Sequence, residues 1–148
     1  MKIGLTIAGL KETRANLREY AKAAGKTMDD SAEEGAEKLK KYIQENIETG
    51  PKTGRIYRRY RPFRIHQASD PGQSPANDLG NLAASFVAQK VKINQYSYRG
   101  LVSSTSPYAL RLEKGGGNIR PRPYILPAIE RLRKEMGDIV EQKWRMYK

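Results

Sequence analysis

Cysteine is absent from the 148 residues, and histidine and tryptophan occur once each, as His66 and Trp144. Without thiolates there is neither a disulfide framework nor a cysteine-based zinc site, and nothing marks the redox compartment. Long apolar runs are also missing. No segment approaches the roughly 18 apolar residues of a membrane span, and Met1 to Leu10 lacks a charged leader followed by a long apolar stretch. The expectation is a soluble chain without a recognisable secretion signal. Only 38% of residues are hydrophobic against 30% charged, and the mean hydropathy is −0.77. A chain of this length forms one domain, residues 1–148, able to bury roughly two-thirds of its unfolded surface. Its low apolar content predicts further burial against neighbouring subunits.

Acidic residues are scarce in one region, and that scarcity localises the net charge of +12. Residues 1–49 carry nine basic and nine acidic side chains, residues 50–122 carry thirteen and three, and residues 123–148 carry six and four. The excess lies in the middle, which points to an anionic partner, either nucleic acid or an acidic protein surface.

The pattern divides into four segments: strand and helices over 1–49, a long basic loop and short turn over 50–85, a hairpin with connecting turns over 86–122, and a helix over 123–148. In the first, Ile3, Leu5 and Ile7 line one side of a strand. A first helix runs from Lys11 to Ala24 and is interrupted by Gly25. A second, capped by Thr27 or Asp29, has the apolar seam Met28, Ala32, Ala36, Leu39, Ile43 and Ile47 and ends at Gly50-Pro51. Asp78 or Asn81 caps a turn through Leu82 and Ala84. Val87, Val91 and Ile93 then alternate with Ala88, Lys90 and Lys92, predicting a strand with a basic outer face, and Tyr96 to Ser104 returns antiparallel. A short helical turn holds Tyr108, Ala109, Leu110 and Leu112, stopped by the glycines from Gly115 to Gly117. The last helix starts near Ile125 to Ala128 and carries Ile125, Ile129, Leu132, Met136, Ile139 or Val140, and Trp144. The predicted class is α+β, a small antiparallel sheet packed by a long N-terminal amphipathic helix and a C-terminal helix, with a long basic loop.

Candidate chemistry concentrates in that loop. Arg55, Arg58, Arg59, Arg61 and Arg64 fall within ten residues, interleaved with Tyr57, Tyr60 and Phe63, and a Pro/Gly/Ser/Asn/Asp run follows. Guanidinium forks clamp phosphates and aromatic rings stack on bases; the same arginines equally pair with carboxylates on a neighbouring subunit. Catalysis finds little support. His66 has no second ligand at metal spacing, Asp70 and Asp78 flank a turn-rich run, and Ser85, Ser103, Ser104 and Ser106 lack a nucleophile-elbow context. The glycine run lacks the setting of a phosphate loop. No metal and no cofactor are expected.

Three segments in order carry a family resemblance: Pro71, Gly72, Pro75, Asp78, Gly80 and Leu82; then Tyr108, Ala109, Leu112, Glu113 and Gly115; then Arg122, Pro123, Pro127 and Ala128. Over about residues 1–135 the chain resembles the tail-component family of long-tailed bacteriophages, the neck or tail-completion proteins between head connector and tail tube. The Arg/Tyr-rich stretch is longer and more basic than the family pattern. The resemblance implies no catalysis. It implies a virion protein made in the bacterial host cytoplasm, a homo-oligomeric ring subunit that meets portal-associated and tail-tube or tail-terminator proteins around double-stranded DNA, with no membrane. The arginine stretch is then the candidate subunit or DNA contact, and the motif residues are structural.

Overall fold

The computed structural model describes residues 9–60 and 63–147. The strand expected around Ile3, Leu5 and Ile7 lies outside these residues. The first described element is a single helix, α1 (Leu10–Thr49), where the sequence predicts two. Gly25 does not break it, because one helical glycine costs only about 1 kcal/mol relative to alanine. Neighbouring elements pack along α1 far beyond that point. Gly25 instead admits a close neighbour, since a Cβ there would lie 3.3 Å from the Gln95 carbonyl oxygen. Thr27 and Asp29 are consequently helix interior, not caps, and Thr27 is buried.

The segment read as a long basic loop contains a hairpin. Strands β1 (Ile56–Tyr60) and β2 (Phe63–Gln67) pair antiparallel, with Tyr57 opposite His66, Arg59 opposite Arg64 and Tyr60 opposite Phe63. Charged and turn-forming residues mask a period-2 alternation here. A one-turn helix α2 (Asn81–Ala84) follows, started by Gly80 at φ +79° with no side-chain cap, so neither Asp78 nor Asn81 caps it.

Strands β3 (Phe86–Asn94) and β4 (Ser97–Ser104) form a second antiparallel hairpin, as predicted, but its facing is inverted. Phe86, Ala88, Lys90, Gly100 and Val102 share the face on α1, whereas Val87, Val91 and Leu101 look outward and are exposed. The cause is close approach. A Cβ on Gly100 would lie 2.5 Å from the Ala32 carbonyl oxygen, so small residues must line the inner face at that point. Lys90 reaches the helix and pairs with Asp29 and Glu33, each at 2.7 Å. The expected basic outer face is therefore a mixed one, with Gln89, Arg99 and Ser103 set among Val87, Val91 and Leu101.

Helix α3 (Ala109–Lys114) and the long helix α4 (Ile125–Tyr147) begin where the sequence predicts. α4 runs along α1, with Met136 against Gly35, Arg131 over the Tyr42 ring at 3.7 Å, and Tyr20 stacked on Trp144. On α4 the buried residues are Ala128 and Ile139, while Ile129 is exposed. The core joins Tyr42, Ile43 and Ile47 of α1 to Leu82, Ala83, Phe86, Ala109, Tyr124 and Ala128. Met28, expected in the seam, is exposed, and the buried small residues Thr27, Ser31 and Gly35 line α1 instead. The class is α+β, with two small sheets in place of one.

Candidate functional site

Two features organise the chemistry: a knot that ties the motif segments together, and an arm, the β1–β2 hairpin, that leaves it. The knot is built around Glu113 and Arg122. The Glu113 carboxylate accepts hydrogen bonds from the backbone N–H groups of Tyr124, Ile125 and Leu126 at 2.8, 2.9 and 3.0 Å. These amides open α4, where unpaired donors and the positive dipole end favour an anion. Pro127, next in line, has no N–H to satisfy. The Arg122 guanidinium donates to the carbonyl and hydroxyl oxygens of Ser69, and its backbone N–H donates to the Leu112 carbonyl at 2.7 Å. Tyr124 is fully buried, donates its hydroxyl to the Ala109 carbonyl at 3.1 Å, and meets Phe86 edge-on. Burial first, and the charge of Glu113 second, push its phenol well above its ordinary pKa.

The remaining motif residues extend the knot. Gly115 holds φ +77°, and a Cβ there would lie 2.9 Å from Cδ of Pro121, so only glycine serves. Gly72, beside Pro71, donates to the Pro121 carbonyl, and Ser74, ahead of buried Pro75, donates to the Pro123 carbonyl. Leu82 enters the core. Tyr108 and Leu112 close a cleft of about 190 Å³ against the residues from Ala76 to Leu82. The three motif segments thus converge although 39 residues separate the first from the last.

The arm is clamped at its root and bare beyond it. Thr53 donates its hydroxyl to Asp70 at 2.7 Å, Gln73 binds both Thr53 and the Asp70 amide, and Gly54 and Ala68 continue the backbone ladder. Past the root, Arg64 and His66 approach the Asp78 carboxylate at 3.6 and 3.8 Å. Tyr57 lies on that same face, under the Arg55 guanidinium. The opposite face carries Ile56, Arg58, Tyr60, Phe63 and Ile65, all exposed, with Tyr60 and Phe63 at 75% and 68%. Arg58 and Arg64 therefore do not form one cationic surface. Arg59 takes its place in the β1 ladder, and Arg61 lies outside the described residues. Of the acidic and histidine candidates, His66 and Asp78 are brought together, whereas Asp70 is engaged at the arm root. Sequence reasoning missed Ser69, Tyr124 and Thr53 as clamp residues and the apolar face of the arm.

The family model for Bacteriophage HK97-gp10, putative tail-component, matches residues 11–115. The chain belongs to this family. The matched stretch takes in α1, both hairpins and α3, and the Arg122-Pro123 segment lies beyond its end. No curated protein and no solved structure matches the chain. A bacteriophage tail component works in contact with other virion proteins. Among the described residues no helix is long and apolar enough to cross a membrane, and no group of three or more His, Asp or Glu side chains is arranged to hold a metal ion.

Proposed function

We propose that the chain is a non-enzymatic structural subunit of the phage head-to-tail connector, a neck or tail-completion ring that bridges the head connector and the tail tube around the DNA channel. The observation that carries this reading is the rigidly rooted arm with an exposed apolar face. A monomer gains nothing from such a face, and a large unpaired apolar patch is the usual mark of an interaction site. Head-to-tail contacts through such an arm close into a ring when the rotation between neighbours closes, and run on as an open filament when it does not. The motif knot fixes the arm and α4 to one body, which a subunit transmitting contacts between neighbours requires.

Light scattering after size exclusion, across protein concentration and salt, tests the reading. A discrete ring, or co-assembly with purified connector or tail-tube protein, is the expected result. A monomer at high concentration that binds neither overturns it.

A second reading is sequence-independent binding of double-stranded DNA, favoured by the exposed Arg55 and Arg58 and the basic middle of the chain. It requires retention on duplex DNA that weakens steeply with salt, each arginine-to-alanine change lowering the slope by about one. Absence of salt-dependent retention removes it.

A further inference from the structure

Among the described residues, two sheet faces that carry exposed apolar side chains have no covering layer. One is the outward face of the arm, with Ile56, Tyr60, Phe63 and Ile65. The other is the outer face of β3–β4, with Val87, Val91 and Leu101, and Ile93 exposed at the bulge beside them. We infer that these two faces are complementary halves of one contact: the arm of one copy packs face to face on the outer face of β3–β4 of a second copy, forming an intermolecular β-sandwich. The inference rests on the ring reading above and names its interface.

Three observations favour a second copy as the occupant. First, each face is a short antiparallel hairpin with β-branched and aromatic side chains standing off it, and two such faces pack at about 10 Å with side chains interleaved. Second, the faces differ in character. The arm is aromatic, whereas β3–β4 sets aliphatic Val87, Val91 and Leu101 among Gln89, Ser103 and Arg99, the last beside Val91 to lie against an aromatic ring of the arm. Such a pair docks head to tail, so each copy offers one donor and one acceptor.

Third, the area falls short of a stable isolated pair, which a ring offsets. The eight exposed side chains present on the order of 900 Å², and specific interfaces bury roughly 1,200–2,000 Å² in total. A single contact is then weak, while a closed ring gives every subunit two. Arg64 and His66, tied to Asp78, turn the apolar face of the arm away from that loop and leave it open to a neighbour.

The absence of cysteine makes the contact directly testable. Phe63→Cys and Val91→Cys are prepared separately and treated, alone and as an equimolar mixture, with a bis-maleimide of roughly 10 Å reach, matching the spacing of packed sheets. The expected result is a cross-linked 1:1 dimer in the mixture and little in either variant alone. The double variant should give a ladder that ends in a closed ring. Cross-linking of Phe63→Cys to itself as strongly as in the mixture means arm packs on arm, and overturns the inference. So does a mixture without a heterodimer while the unmodified protein still runs as a ring, and that outcome leaves the ring reading standing. Cross-linking of Phe63→Cys only to purified tail-tube protein likewise overturns it. A protein that stays monomeric and gives no cross-link overturns both.

Discussion

The two hairpins make opposite use of the same alternation. In β3–β4 the face turned to α1 is partly small and polar, with Ala88, Lys90 and Gly100, because the helix backbone comes within reach of a Cβ there. Val87, Val91 and Leu101 are displaced outward, and Val102 stays inside with Phe86. In β1–β2 the polar face is turned toward Asp78 and the apolar face is bare. Period-2 patterning therefore identifies strands and separates their faces, but it does not say which face is inside. That choice belongs to the partner element. When a helix approaches closely, room for its backbone outweighs the roughly 25 cal/mol per Å² gained by burying a larger side chain.

The largest expected effect breaks the tighter of the two hairpins. In Gly100→Val the new side chain meets the Ala32 carbonyl and the Ala36 methyl, and both are fixed in α1. Overpacking of this kind costs about 1–3 kcal/mol or more, so chemical denaturation should find a large loss of stability. An unchanged midpoint would mean that β4 does not approach α1 as described. Glu113→Ala comes next. It strips the Tyr124 amide and the first two α4 amides of their acceptor and leaves Tyr124 N–H unpaired beside the core. A cap usually contributes about 1 kcal/mol and an orphaned buried donor about 1–3 kcal/mol, so a loss of about 2 kcal/mol is expected in thermal melts. Glu113→Gln should recover part of it.

Much of the fold was legible in the sequence, for identifiable reasons. The length of α4, the position of β3–β4 and the stop at Gly115 all follow from local signals that tertiary contacts leave unopposed. Gly25 misled because a glycine at helical spacing reads as a stop, whereas here it admits the β3–β4 turn. The β1–β2 hairpin was missed because its alternation, Ile56, Arg58, Tyr60 and then Phe63, Ile65, is diluted by arginines on both faces. The resemblance singles out the motif residues, but the spacing does not say which contacts each one makes. Nothing in the spacing of Glu113 and Tyr124 announces that a carboxylate on one helix caps another. Ser69 gives no sequence signal at all, since its hydroxyl matters only once Arg122 reaches it.

A smaller effect separates the anchoring of the two hairpins. Hydrogen bonds to Asp29 and then to Glu33 raise the pKa of Lys90 above its ordinary 10.5. Because the folded-state value is raised, the stabilising contribution is complete below pH 10.5 and is lost as pH rises through the folded-state value. Lys90→Met should therefore lower stability modestly at pH 7. The difference from the unmodified protein should shrink in strongly alkaline solution and with added salt. A difference that persists there would assign Lys90 a packing role through its aliphatic stem.

The smallest effect on global stability is expected on the arm. Tyr60 and Phe63 face each other across β1–β2 with ring centroids 6.4 Å apart, and a cross-strand aromatic pair contributes roughly 0.2–1 kcal/mol. That energy is local, because neither ring is buried and the arm meets the body at its root and at Asp78. Tyr60→Ser should consequently speed amide hydrogen exchange in β1 and β2 several-fold while shifting the global unfolding midpoint by no more than about 0.5 kcal/mol. If the global midpoint fell by more, the arm would be part of the cooperative core, and its apolar face would have a partner within its own chain.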